Sequence, residues 1–129
     1  MRFSKTDNIY KIIRITGSQD NILGISFGED DVEVIEWNFN NSDRSRIRTS
    51  NEEVLEQVLF GLESVNKSLG TNYKLSKIYF SPFDISTNRI YSGLIATLIK
   101  HYHSGNEFKE VYVLDFWDGF WESDLSQNH

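Results

Sequence analysis

The stretch SNEEVLEQVLFGLESVNKSLG, residues 50–70, restricts what this chain can fold into more than any other. Ser50 and Glu53 form a capping box: the hydroxyl takes an orphan amide at the helix start, and the carboxylate reaches back to the cap. Behind them Val54, Val58, Leu62, Val65 and Leu69 recur at three- and four-residue steps, which is one apolar stripe of an amphipathic helix. Gly70 supplies the left-handed residue that closes it. A helix with one apolar stripe has to cover that stripe with something.

The cover is legible on both sides. Ahead of the helix, IYKIIRIT (9–16), ILGISF (22–27) and VEVIEW (32–37) are β-rich segments separated by the turns GSQDN and GEDD. They predict an antiparallel meander. In VEVIEW, Val32 and Val34 point inward with Ile35 and Trp37 as further candidates, and Glu33 falls on the opposite face by the two-residue period. The polar run NFNNSDRSRIRTS then leads to Ser50. After Gly70, YKLSKIYF (73–80) predicts a fourth strand ended by Pro82, the single proline. A second helix is expected from Thr87 to Ser104, its stripe being Ile90, Tyr91, Leu94, Ile95, Leu98, Ile99 and Tyr102. FKEVYVLDF (108–116) predicts the fifth strand. The expected fold is α+β, a mixed five-stranded sheet in the order βββαβαβ with two helices packed on it. The last two βα units are expected to be right-handed parallel crossovers.

That order resembles the ribonuclease-H-like folds, and IIRITGSQDNILGISF is similar to the first hairpin of that superfamily. The resemblance implies a metal-dependent nuclease, with Glu56 or Glu63 on the first helix and Asp84 after the fourth strand in two of the ligand positions. It also implies a carboxylate in the middle of the first strand, where this chain has Ile13, Arg14, Ile15 and Thr16.

Length and composition narrow the function. At 129 residues the chain is expected to be one domain, 1–129, able to bury a core without metal or disulfide. It has no cysteine, which excludes a thiol nucleophile and fits a reducing, cytoplasmic setting. MRFSKTDN lacks the apolar core of a signal peptide, no apolar run is long enough to span a bilayer, and the N-x-S triplets at Asn40 and Asn66 are read as chance. The net charge of -6 disfavours direct nucleic-acid binding, which draws its affinity from a basic face. An acidic protein looks for a basic partner.

Several motifs reduce to structural readings. GISFG (24–28) matches the nucleophile-elbow spacing around Ser26, but a strand and an acidic turn surround it instead of a strand-to-helix turn, so glycines permitting close backbone approach are expected. His101 and His103, two apart on a helix, fall on different faces and do not make a metal pair. Arg44, Arg46 and Arg48 read as a solvated loop.

Two acidic stretches remain. GEDDVEVIEW places Glu29, Asp30, Asp31, Glu33 and Glu36 together, with nothing nearby in sequence to neutralise them and without the spacing that wraps calcium. DFWDGFWESD sets Asp115, Asp118, Glu122 and Asp124 among Phe116, Trp117, Phe120 and Trp121; alternation leaves neither side purely apolar, and Gly119 breaks the run. Rings ringed by charge are the composition of protein–protein hot spots. The expected function is therefore an acidic protein-binding module of inhibitor or immunity type, with no catalytic set, metal or cofactor. Asp30, Asp31, Glu33, Asp115, Asp118, Glu122 and Asp124 would steer a basic toxin or nuclease partner, and Trp117, Phe120 and Trp121 would anchor it. The alternatives are the degenerate ribonuclease-H-like enzyme and a homodimeric scaffold subunit.

Overall fold

A computed structural model describes residues 1–15, 20–37, 48–82 and 89–111. They form a mixed α+β structure: β1 (Arg2–Thr6), β2 (Ile9–Ile15), β3 (Asp20–Phe27), β4 (Glu33–Glu36), α1 (Asn51–Leu69), β5 (Leu75–Phe80), α2 (Ile90–His103) and β6 (Lys109–Glu110). The strands make one six-stranded sheet in the order β4-β5-β3-β2-β1-β6.

Two features of that order correct the sequence reading. The sheet has six strands and not five, because Arg2–Thr6 pairs antiparallel with β2 through a two-residue turn at Asp7 and Asn8, Asp7 having φ 52°. Four strands thus precede the first helix, where the ribonuclease-H-like order has three. The meander also fails at its third strand. β4 does not pair with β3; β5 lies between them, antiparallel to β3 and parallel to β4. The β4–α1–β5 unit is the expected parallel crossover. The next is not, since β6 is parallel to β1, which runs opposite to β5. Helix α2 thus carries the chain from one side of the sheet to the other edge.

Both helices form as their patterns require. Ser50 caps α1 with the full capping box, and Gly70 closes it at φ 69°. Val54, Val58, Leu62 and Val65 are buried with Leu94, Ile95, Leu98 and Ile99 of α2 against Ile12, Leu23, Ile25, Ile78 and Phe80 of the sheet. The helices touch where Gly61 meets Ser92: a Cβ at 61 would stand 2.8 Å from the Ser92 Cα, so only glycine lets the backbones approach this closely. Arg89, the residue preceding α2, offers no side-chain cap, and α1 supplies one instead. The Tyr91 amide donates to the buried Gln57 Oε1 at 3.1 Å.

The sheet is apolar on its other face too. Ile9, Ile13, Ile22, Trp37 and Tyr79 form a second buried cluster, with Trp37 stacked on Tyr79. Trp37 lies over Gly24, where a Cβ would come within 2.9 Å of the indole. The glycines of GISFG therefore allow close approach, and the Ser26 hydroxyl donates to the Asn8 carbonyl at 3.1 Å from within β3. Among the described residues, no helix is long and apolar enough to cross a membrane.

Candidate functional site

The acidic turn is held by β5. As β3 ends, a bulge leaves Ser76 without a cross-strand partner: Ser26 faces Lys77 and Phe27 faces Leu75. The Gly28 amide donates to the Lys74 carbonyl at 3.1 Å, and the chain turns outward through Glu29, Asp30 and Asp31, all exposed. Val32 and Val34 pack on the helix-side core, as expected, and Glu33 is exposed on the opposite face. The turn is not left to repel itself. Lys74 stands 3.3 Å from Glu29, and Lys77 is the register partner of Glu33. These cations arrive from 45 and 44 residues downstream, which local sequence cannot reveal.

Beside the turn lies a ring cluster that the sequence reading missed. Phe27, just before the turn, packs on Tyr73 and Tyr102, and Tyr102 packs edge-on against Tyr10. Phe108 and Phe3 extend the cluster along β2 and β1 to His101, whose ring lies flat on Phe3 at 3.6 Å between centroids. All these rings are partly exposed. Burial, joined by the neighbouring Tyr10 and Tyr73, pushes the Tyr102 hydroxyl above its ordinary pKa. The two histidines do face different ways: His101 Nε2–H donates to the Glu107 carbonyl at 2.6 Å, and His103 Nδ1 pairs with the Tyr73 hydroxyl at 2.8 Å. The cluster gathers rings from three strands, two loops and one helix end. No window of sequence contains it.

A third surface lies on the outer side of α1. Leu59 is 40% and Phe60 57% exposed, the largest exposed apolar side chains besides Met1 among the described residues. Glu52, Glu56 and Glu63 surround them at helical spacing. Glu56 pairs with Arg89 at 3.2 Å, and the same guanidinium lies over the Phe60 ring, 5.1 Å from its centroid. Glu63 pairs with Lys67 at 3.4 Å. Sequence did hold a signal here: Leu59 and Phe60 sit off the stripe 54-58-62-65-69, so a helix that buries the stripe leaves them outside.

Of the candidate partner-binding residues, the structure places Asp30 and Asp31 on one exposed turn and Glu33, also exposed, at the start of β4 that follows it. Asp115, Trp117, Asp118, Phe120, Trp121, Glu122 and Asp124 lie outside the described residues, as do Asp84, Arg44 and Arg46. For the enzyme alternative, Glu56 and Glu63 are exposed and each is engaged by a cation. Among the described residues no group of three or more His, Cys, Asp or Glu side chains is placed to hold a metal. The fold and these surfaces define a mixed α+β domain with acidic and aromatic exposed faces. Comparison of the chain with protein families, with curated proteins and with solved structures found no match to any of them.

Proposed function

We propose that this chain is an acidic protein-binding module of inhibitor or immunity type, which neutralises a basic toxin or nuclease by covering its active surface. One observation carries the reading: the exposed carboxylates of Asp30 and Asp31 stand on a turn that begins at Phe27 of a partly exposed aromatic cluster, with exposed Glu33 following at the start of β4. Carboxylates in that position meet the Arg and Lys with which a nuclease holds phosphate. Complementary charge speeds encounter, and rings buried on docking slow dissociation. On this reading Trp117, Phe120 and Trp121 anchor the partner, and Asp115, Asp118, Glu122 and Asp124 add to the steering charge.

The test uses the product of the adjacent gene as partner, with association and dissociation rates measured at about 0.05 M and about 0.5 M salt, on either side of strong screening. The expected outcome is an association rate that falls at least tenfold with salt, and that falls comparably in Asp30→Lys/Asp31→Lys at low salt. Capture indifferent to ionic strength and to that charge reversal would remove the steering role.

A further inference from the structure

Phe60 breaks the usual logic of a helix surface. A phenylalanine left more than half exposed gains little where it stands, yet the structure holds a guanidinium over it. Arg89, in the left-handed region at φ 53° just before α2, spans two chemistries at once: its guanidinium carbon lies over the Phe60 ring, 5.1 Å from the centroid, and its Nη1 donates to Glu56 Oε1 at 3.2 Å. A ring beneath the cation and a carboxylate accepting from its N–H groups are the two elements with which proteins recognise arginine. Here the chain offers both to its own residue, half in solvent, at 48% side-chain exposure.

Three further features extend the site beyond what Arg89 uses. Glu52 lies one turn before Glu56, and Glu63 one turn beyond Phe60, so carboxylates flank the ring along the helix axis. Leu59 borders a shallow groove of about 510 Å³ lined also by Leu62, Glu63, Asn66, Lys67 and Thr71, in which Lys67 is held by Glu63. The charge beside the exposed apolar pair is mostly negative, which selects against an acidic or purely apolar occupant.

We propose that the outer face of α1 is a docking site for an arginine-bearing segment of a basic protein, and that Arg89 occupies in cis the place of the partner's guanidinium. This rests on the reading of the chain as an acidic binder and specifies a face and a side chain for it. Arg89 then acts as a weak internal competitor, displaced on docking. Arginine is favoured over lysine, because an ammonium neither stacks flat nor forks.

The experiment follows backbone amide shifts of the labelled chain during titration with a hexa-arginine peptide and, separately, hexa-lysine. The expected shifts centre on Leu59, Phe60 and Glu63, with arginine bound more tightly. Phe60→Ala, which removes a side chain directed away from the core, weakens hexa-arginine about two- to fivefold, as loss of an exposed cation–π contact should. Arg89→Gly, which keeps a residue suited to positive φ, strengthens it by a similar factor. Equal binding of both peptides with Phe60→Ala silent would overturn the stacking site. Shifts confined to 29–33 would overturn the α1 assignment and leave the acidic binder standing. No binding of either peptide at low salt would remove both. Concentration-dependent shifts at 59 and 60 without peptide, lost in Phe60→Ala, would make a second copy of the chain the occupant and overturn the proposal.

Discussion

At the scale of single residues, Lys11 is the most revealing. It alternates with Ile9 and Ile13 on β2 and is fully buried with them on the sheet face away from the helices. Its Nζ donates to the Thr6 hydroxyl at 2.6 Å, and the Thr6 hydroxyl donates in turn to the Val111 carbonyl at 3.0 Å. Burial lowers its pKa from 10.5 to about 8. Between those values the unfolded chain keeps a proton that the folded one has shed, so raising the pH stabilises the fold. Tyr102 works the other way, its raised pKa removing stability above about pH 10. The urea midpoint of the wild type should therefore rise from pH 7.5 to about pH 9.5 relative to Lys11→Met. Parallel profiles would mean that Lys11 titrates as it does in water. Two glycines make a second contrast. Gly61→Ala drives a methyl into the Ser92 backbone and should cost roughly 1–3 kcal/mol, whereas Gly93→Ala meets nothing within 4 Å and should gain about 0.5–1 kcal/mol in urea unfolding.

At the scale of elements, what could be read from sequence divides by distance along the chain. Helix α1 was legible to the residue, because a cap, a stripe and a terminal glycine are all local. β1 was not, since RFSKT has one apolar side chain, Phe3, and pairs only because β2 presents an open edge to it. The insertion of β5 between β3 and β4 was invisible for the same reason: VEVIEW suits a hairpin partner and a parallel neighbour equally. Even the Ile9-Lys11-Ile13 face misleads, because both faces of this sheet are apolar and alternation no longer separates inside from outside. Of the candidate site, the exposure of Asp30, Asp31 and Glu33 was legible; the lysines that answer the turn and the rings beside it come from distant segments. One inter-element contact gives a clear prediction. Gln57→Leu strands the buried Tyr91 amide and should cost roughly 1–3 kcal/mol, more than Ser50→Ala, whose exposed cap should cost about 1 kcal/mol. Urea denaturation of the two variants ranks them, and the reverse ranking would show that α2 finds another cap.

At the scale of the molecule, the proposed inhibitor reading calls for a single chain that binds a different protein, and the scaffold alternative for a dimer. Light scattering should give the mass of one chain, 15.1 kDa, and Trp117→Ala/Trp121→Ala should leave that mass unchanged while weakening capture of the partner. A dimer that dissociates in this variant would instead favour the scaffold alternative. The placement of β6 has a consequence for how the molecule is made. Ser4 pairs with Lys109 and Lys5 with Glu110, so the first strand waits for nearly the last described residues before its outer edge is hydrogen-bonded. On the ribosome the hairpin of β1 and β2 emerges early and stays uncapped until β6 clears the exit tunnel. Translation thus leaves the outer edge of β1 unpaired until residues 109–110 emerge, and chaperone demand should peak in that interval.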